Sequence, residues 1–281
     1  MRRNKNRCLF KVVLWVYIIN VCFTPINSNA DIKLHFLDVG QGDCTIITCD
    51  NESLIIDGGP PAASQYVYWY IRENLGIDEF KYMIASHPHE DHLGGLSAAL
   101  NSAVIGVIMS PVKEWDSRAF RSMVKYANLQ GTPIIVPEEG DVFSLGEGTI
   151  TILSCWPEAW DVNCMSIVCR IDYYDLSFLF TGDAEDMLEY ILVDTEADLS
   201  ADVLKVGHHG SSTSTTQEFL DMVKPRYAVI SCGQNNEYGH PRKEVLDRLS
   251  TASVFRTDRQ GTITMTSDGK TINITTESDM K

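Results

Sequence analysis

Basic residues are scarce in this chain. Its 281 residues include 23 lysines and arginines against 38 aspartates and glutamates, a formal net charge of −15. Five basic residues and no acid lie in the first thirty positions, which leaves 18 against the same 38 acids, a net charge of −20. A field of that sign repels polyanions and excludes a broad basic surface for nucleic acid. Any phosphate chemistry must be local, with Lys205 and Arg242, beside histidine motifs, as candidate cations.

Long apolar runs are also lacking outside the N-terminus. The chain begins with a basic stretch through Arg7 and continues with an apolar run from Val12 to Phe23. This run is shorter than the roughly 20 residues that a membrane-spanning helix needs, and it is typical of a secretory signal. We expect cleavage after Ala30 and a secreted or periplasmic protein without stable membrane insertion. An uncleaved N-terminal segment that anchors the protein to a membrane is the lesser alternative.

The chain has no Cys-x-x-Cys pair, and a structural zinc knuckle is therefore not expected. An exported chain permits disulfides among its cysteines. We favour buried free thiols or one or two bridges. Outside the predicted signal peptide the cysteines are Cys44, Cys49, Cys155, Cys164, Cys169 and Cys232.

No Pro/Gly/Ser-rich linker and no internal repeat divides the chain. Short apolar runs predicted as strands alternate with runs predicted as helices. The predicted strands are 32–37, 44–48, 54–56, 82–85, 104–109, 134–136, 149–153, 167–171, 176–180, 203–206 and 227–230. The predicted helices are 62–75, 93–101, 117–129, 184–193, 216–223 and 241–249. This alternation is typical of a layered α/β fold. We predict a signal peptide over 1–30, one domain over 31–276 and a polar tail over 277–281.

Polar clusters follow several of the predicted strands. Ligand sites in layered α/β folds gather at the carboxyl ends of strands, so these clusters are the candidate functional residues. They are Asp57, the run His87–His92, Asp183, the pair His208 and His209, and His240.

The densest cluster is His87-x-His89-x-Asp91-His92. In a loop leaving a strand, His87 and His89 can point to the same side and chelate one metal. Asp91 and His92 diverge and can serve a second metal, and Asp183 is then a natural bridging carboxylate. Imidazole and carboxylate ligands without a thiolate suit Zn²⁺ or Mn²⁺ in an open site. We expect one or two ions.

The same residues belong to motifs that carry a resemblance. The motifs are FLDVGQGD at 36–43, IIDGG at 55–59, ASHPHEDHLGGL at 85–96, FTGD at 180–183, LKVGHHGS at 204–211 and YGHP at 238–241. In combination they resemble the metallo-β-lactamase superfamily, and within it the hydrolase domain of ComEC-type DNA-uptake proteins. The resemblance implies an α/β fold, a four-layer αβ/βα sandwich, with the metals in a shallow cleft between two sheets.

The resemblance also implies roles for individual residues. The positions that match the metal motif are His87, His89, Asp91, His92 and Asp183. Where the superfamily usually supplies a further histidine, this chain offers only Asn163 and Ser166, which we expect to contact substrate.

The last histidine of the pattern is ambiguous. We favour His240 as a metal ligand, with His208 or His209 as a catalytic or substrate group. Asp57 is expected to orient a ligand histidine from behind, and Ser211 and Ser212 to contact substrate.

These assignments indicate an exported metal-dependent hydrolase, most concretely a phosphodiesterase or nuclease that uses a metal-bound hydroxide held by Asp91. Its substrate would be a small-molecule or nucleic-acid phosphodiester. Hydrolysis of a lactone, lactam or ester is the alternative among enzymes. A non-catalytic exported metal-binding protein of the same fold is the alternative outside them. The sequence specifies no oligomeric state.

Overall fold

The structure is a computed structural model that describes residues 31–195 and 197–280. The predicted signal peptide, residues 1–30, lies outside the described residues. The strands are β1 (Ile32–Phe36), β2 (Thr45–Cys49), β3 (Glu52–Ile56), β4 (Glu79–Ile84), β5 (Val104–Met109), β6 (Ile134–Ile135), β7 (Val142–Leu145), β8 (Gly148–Ser154), β9 (Val168–Tyr173), β10 (Leu176–Phe180), β11 (Val203–Lys205), β12 (Tyr227–Ile230), β13 (Ser253–Arg256), β14 (Ile263–Ser267) and β15 (Ile272–Thr276).

The α-helices are α1 (Ser64–Trp69), α2 (Glu90–Leu93), α3 (Leu96–Ser102), α4 (Arg118–Gln130), α5 (Asp186–Val193), α6 (Gln217–Val223), α7 (Lys243–Arg248) and α8 (Thr257–Gln260). A π-helical segment, Tyr70–Leu75, continues α1. Short 3-10 turns occur at Pro61–Ala63, Asn163–Met165, Gly207–Gly210, Leu249–Thr251 and Glu277–Met280. Within the described ranges no helix has both the length and the apolar character needed to cross a membrane.

The strands form two mixed sheets. The first has eight strands in the order β15-β14-β1-β2-β3-β4-β5-β6, and the second has seven in the order β13-β12-β11-β10-β9-β8-β7. Each combines an antiparallel part with a parallel part, β3 to β6 in the first sheet and β10 to β13 in the second. Helices cover the outer face of each sheet, so the predicted four-layer αβ/βα sandwich is confirmed.

Burial follows from the alternation of side chains along the strands. In β10, Phe178 and Phe180 point into the core between the sheets, whereas Leu179 faces the helices. All five residues of β10 are buried, as expected for a strand covered on both faces. Phe36 of β1 stacks on Phe180 with ring centroids 6.2 Å apart, which packs one sheet on the other. The central strands are therefore rigid supports for the loops that follow them.

In the described part of the chain all six cysteines are free thiols, and five of them are buried. Burial raises the pKa of Cys169 to about 12, and that of Cys155 likewise. These thiols stay protonated and pack as small apolar side chains. The expectation of buried free thiols agrees with this arrangement.

The parallel strands decide where the polar clusters meet. β3 and β4 run parallel and end at Ile56 and Ile84, directly before Asp57 and the histidine run. In the second sheet β10 and β11 also run parallel and end at Phe180 and Lys205. The backbone N–H of Ile167 donates to Ser86 O at 2.8 Å and joins the two sheets at this edge. Residues far apart in sequence therefore converge on one cleft.

Candidate metal centre

The loop after β4 and the short helix α2 carry the histidine motif. Glu90 and Asp91 occupy the first turn of α2, where acidic side chains suit the positive end of a helix. The backbone N–H of Gly58 donates to His92 O at 2.6 Å, which ties this helix to the loop after β3. A Cβ on Gly95 would overlap the carbonyl oxygen of Gly58, so the close approach of the two loops requires glycine there. The LGGL run thus fixes the position of His92.

His87 and His89, which we call the histidine pair, lie side by side as the sequence predicts. The Nε2 of His87 is 2.9 Å from the Nδ1 of His89 and 3.8 Å from the Oδ2 of Asp183. Burial and the neighbouring His92 hold the pKa of His87 well below its ordinary value. The ring is therefore neutral and offers a lone pair to a cation.

Asp91, His92 and His209, which we call the mixed group, surround the other side of Asp183. His92 Nδ1 donates to Asp57 Oδ2 at 2.8 Å, and its Nε2 lies 3.2 Å from Asp183 Oδ1. His209 Nε2 lies 3.2 Å from Asp91 Oδ2 and 3.5 Å from Asp183 Oδ2. In both histidines Nδ1 is held from behind and Nε2 faces carboxylates.

Asp57 lies beneath this cluster and is nearly inaccessible to solvent. Its Oδ1 accepts from the backbone N–H of Ser86 at 2.8 Å, and its Oδ2 accepts from the Ser86 hydroxyl at 2.7 Å as well as from His92. A carboxylate behind a histidine fixes the ring tautomer and its direction, the usual support of a metal-ligating imidazole.

Asp43 and Lys205 form a buried ion pair behind His209. The Nζ of Lys205 donates to Asp43 Oδ2 at 2.6 Å, and the two side chains are only 3% and 6% exposed. Asp43 Oδ1 lies 3.1 Å from His209 Nδ1, which also donates to Ser231 O at 3.0 Å. The pair therefore holds His209 from the side that faces away from Asp183.

This arrangement corrects the expectation that Lys205 contacts phosphate, because Lys205 is buried and neutralised by Asp43. The FLDVGQGD motif supplies Asp43 to the cluster. Ligand atoms of Asp43, His92, Asp183 and His209 all lie within 4.8 Å of one another. With its Oδ2 held by Lys205, however, Asp43 is better placed to support His209 than to bind a cation.

The chemistry of the donor set fits a divalent metal. His92 Nε2 and Asp183 Oδ1 are both buried, and neither has a hydrogen-bond partner among the described residues. A buried polar atom without a partner is costly, which identifies a position where a cation belongs. Neutral imidazoles and carboxylates with open access to the cleft are the donors that catalytic zinc or manganese sites use.

Without a cation, the mixed group holds protons instead. Burial lowers the pKa of His209, but the carboxylates of Asp183 and Asp43 outweigh it and raise this pKa to about 10. Burial likewise opposes protonation of His92, yet Asp183 and Asp57 raise its pKa well above the ordinary value. A metal that binds Nε2 of these rings must displace those protons.

A cleft of 280 Å³ opens over the cluster. Its lining residues are Gln41, His89, Glu90, Asp91, Asp183, His208, His209, Tyr238 and His240. Three of these described lining residues are acidic, and none of them is a lysine or an arginine. Positive charge for an anionic substrate must therefore come from bound cations and from the rim.

His208 and His240 stand between the cluster and solvent. His208 Nε2 is 3.9 Å from Asp183 Oδ2, and its Nδ1 is 3.1 Å from Glu185 Oε1. The ring of His240 lies 5.7 Å from that of His208 and stacks on Tyr238. The structure therefore places His209 inside the cluster and His240 at the rim, the reverse of the arrangement favoured from the sequence. The YGHP pattern is local and carries no information on which ring reaches Asp183.

The residues predicted to contact substrate do not line the cleft. Ser166 is buried, and its hydroxyl accepts from the backbone N–H of Asp183 at 3.1 Å, so it supports a ligand. Asn163 donates through Nδ2 to Glu185 Oε1 at 3.1 Å. Ser211 is buried against Thr213, and Ser212 is exposed on the same loop. None of these four predicted residues is among the described residues that line the cleft. Glu185 was missed by the sequence analysis, because a single acid before a helix is indistinguishable from a solvated one.

Two mixed sheets that bring histidines and carboxylates together at their strand ends define a metal-dependent hydrolase of the αβ/βα sandwich class. The model of the Metallo-beta-lactamase superfamily matches residues 37–234, and the chain belongs to this superfamily. That span includes the whole cluster and leaves only His240 and Tyr238 of the cleft outside.

The predicted resemblance to ComEC-type proteins is confirmed by curated relatives. ComE operon protein 3 of Bacillus subtilis is 30% identical over 253 residues, which cover 82% of this chain and 32% of the relative. Recombination protein 2 of Haemophilus influenzae is 30% identical over 261 residues, which cover 88% of this chain and 30% of the relative. The chain thus spans about a third of the length of these relatives.

A solved structure supports the fold. The metallo-beta-lactamase fold protein YhfI from Bacillus subtilis aligns with a TM-score of 0.54 at 14% identity. The alignment covers 87% of this chain and all of that protein. At this level of identity the likeness extends to the fold alone.

Proposed function

We propose that this protein is an exported phosphodiesterase that cleaves nucleic acid with two divalent cations. The observation that supports this proposal is the position of Asp183. Its carboxylate oxygens lie between 3.2 and 3.9 Å from ring nitrogens of His87, His92, His208 and His209. A carboxylate shared by two groups of donors is the arrangement of two-metal sites, which clamp the oxygens of an in-line displacement at phosphorus.

The histidine pair would hold one cation and the mixed group the other, with Asp183 between them. Bound there, divalent cations supply positive charge for the phosphate oxygens and lower the pKa of the attacking water. A phosphodiester benefits more than a lactam, because it carries a formal charge that this acidic cleft would otherwise repel.

The chain's own residues supply proton transfer. Asp91 lies at the edge of the cleft with 35% of its side chain exposed, where its carboxylate can accept a proton from water. Burial raises the pKa of Asp91, but the hydrogen bond from His209 and the charge of His92 outweigh it and lower this pKa below the ordinary value. Asp91 is therefore ionised at neutral pH. His208 turns Nε2 toward the cleft while Glu185 accepts from Nδ1, which suits protonation of the leaving oxygen.

The proposal draws further support from the relatives. The name of the Haemophilus influenzae relative, Recombination protein 2, refers to a process that acts on nucleic acid. Export rests on the N-terminal pattern alone. Intact mass of the protein from the extracytoplasmic fraction of its host, beginning at Asp31, would support it, and recovery of the full chain in the cytoplasm would refute it.

The experiment uses protein loaded with Mn²⁺ or Zn²⁺ and a panel of substrates: single-stranded DNA, duplex DNA, RNA, a cyclic dinucleotide, a lactam and a lactone. We expect cleavage of phosphodiesters and none of the lactam or lactone. Asp91→Asn should reduce turnover by at least about 100-fold, because it removes the proton acceptor. Asp116→Asn, at a 98% exposed side chain, is the matched control. Bound metal without turnover on any substrate would favour a binding protein, and turnover of the lactone alone would favour the ester hydrolase.

A further inference from the structure

Tyr238 occupies an unusual position for a large aromatic side chain. It lines the mouth of the cleft and is 54% exposed. One face of its ring stacks on His240, with centroids 5.7 Å apart and planes 25° apart. Other aromatic rings of the described chain, such as Tyr174, are equally exposed, but Tyr238 is the one among them that lines the cleft.

The loop that carries Tyr238 is held in a fixed shape. Asn236 Nδ2 donates to Gly233 O at 2.9 Å and to His240 O at 2.6 Å. The Oδ1 of Asn236 accepts from the backbone N–H of His240 at 2.9 Å. One side chain thus closes the turn from both sides, and the Tyr238 ring is presented at the rim without depending on substrate to order it.

Rings connect this rim to the metal cluster. From His209 the next ring is His208, at 6.1 Å between centroids, and then His240 at 5.7 Å. Tyr238 is the outermost ring of this row and the one open to solvent on its free face. The row leads from His209, which lies 3.5 Å from Asp183, to the mouth of the cleft.

A cation lies beside the loop that carries Tyr238. The Nη1 of Arg242 lies 3.3 Å from the point where a Cβ on Gly239 would be, which places the guanidinium against the backbone of the Tyr238 loop. Arg242 is exposed, and no acidic side chain of the described residues forms an ion pair with it. The adjacent lining of the cleft has no lysine or arginine among the residues described.

We propose that Tyr238 and Arg242 form a subsite for single-stranded nucleic acid, in which one base stacks on Tyr238 and the neighbouring phosphate contacts Arg242. This inference deepens the proposed function and rests on it. Aromatic rings beside an isolated cation bind single strands by stacking, which tolerates any base. A duplex keeps its bases inside, so its bases could not reach the ring. The subsite therefore selects single strands.

The test measures binding separately from cleavage. Asp91→Asn protein with Mn²⁺ is titrated against a fluorescent six-nucleotide single strand of DNA or RNA, an otherwise identical strand with all bases removed, and a duplex. We expect Tyr238→Ala to weaken binding of the normal strand at least about fivefold, the lower end for one stacked base. Tyr238→Trp should restore it, and the strand without bases should not respond to Tyr238→Ala.

The matched control is Tyr174→Ala. Tyr174 is 60% exposed and precedes β10, at the end of the strand away from Asp183, so its removal should leave all affinities unchanged. Arg242→Gln should weaken the normal strand and the strand without bases alike. Equal losses on both strands for Tyr238→Ala, or no loss on either, would overturn the stacking subsite. Failure of the proposed function is distinct, because it appears as absence of phosphodiester cleavage in the wild-type protein.

Discussion

At the scale of single residues, buried side chains that contact Nδ1 hold His92 and His209 in place. Asp57 and Ser86 lie behind His92, and Asp43 with Lys205 lies behind His209. Each support fixes Nδ1, so that Nε2 points toward Asp183, where a cation can replace its proton. The supports are buried, and their charges must therefore balance within the protein.

Lys205→Met should destabilise the protein by about 3–5 kcal/mol, because it leaves the Asp43 carboxylate buried without its cation. The double variant Asp43→Asn with Lys205→Met removes both charges, and we expect it to recover part of that loss. Urea unfolding of the wild type, both single variants and the double variant measures the coupling. Strictly additive losses would contradict an interaction between the two side chains.

The pKa of His209 predicts how the metal-free protein responds to pH. Its folded pKa, raised from 6.5 to about 10, means that the folded state keeps a proton that the unfolded chain loses. This contribution to stability is complete below pH 6.5 and is lost as the pH rises toward 10. In the presence of a chelator, the free energy of unfolding should fall between pH 7 and 10.

The control for this prediction is His209→Gln, which lacks the titrating group and should lose less stability over the same range. With Zn²⁺ bound the dependence should reverse, since metal competes with the proton for Nε2. Midpoints of urea unfolding at pH 7, 8.5 and 10, measured with and without Zn²⁺, test both pH dependences. A metal-free midpoint that rises with pH would refute the assignment.

At the scale of elements, the strand ends and the glycine-dependent loops set the geometry. The predicted strands at 104–109, 176–180 and 227–230 have the observed bounds, and the others agree within a few residues. The apolar runs of the sequence did not predict β7, β13, β14 and β15. Three of these are edge strands, and β14 lies next to an edge. β14 and β15 alternate apolar and polar residues, so they contain no continuous apolar run of the kind from which the other strands were predicted.

Gly95→Ala tests the contact between the loop after β3 and the loop after α2. The added Cβ would overlap Gly58 O, so the two loops must separate and His92 must shift. We expect lower metal affinity together with lower stability. Gly131→Ala is the control, because its Cβ meets no atom within 4 Å but its φ of 75° is strained. That control should cost about 1–2 kcal/mol in stability and leave metal affinity unchanged, as isothermal titration with Zn²⁺ would measure.

At the scale of the whole molecule, net charge limits how nucleic acid can bind. The chain outside the first thirty residues carries a net charge of −20. Lys205 is neutralised inside the protein, so under the proposed function Arg242 and the cations held by the cluster would contact the phosphates.

The salt dependence of nucleic-acid binding follows from the small number of cations that can contact phosphates. Each phosphate neutralised on a single strand contributes about −0.7 to the slope of log affinity against log salt, so we expect a slope of about −1 to −3. Titration of a single strand into Asp91→Asn protein at several sodium chloride concentrations and fixed metal measures it. A slope steeper than about −5 would indicate an extended basic footprint and contradict the charge argument.

The sequence by itself determined the class of the fold and the densest part of the centre. The HxHxDH run has its donors within six positions, so local geometry after one strand suffices to predict that they face a metal together. The alternation of apolar runs likewise predicts a layered α/β fold, because each strand or helix carries its own pattern of buried residues. The four-layer sandwich followed from the resemblance.

Only the tertiary structure decided which distant residues complete the centre. Lys205 and Asp43 are 162 positions apart, and His209 and Asp91 are 118 apart. Nothing local distinguishes a lysine that meets substrate from one that neutralises a buried acid, or His209 from His240 as the ring that reaches Asp183. These roles depend on how the two sheets pack and on the register of their strands, which arise from many contacts summed over the whole core.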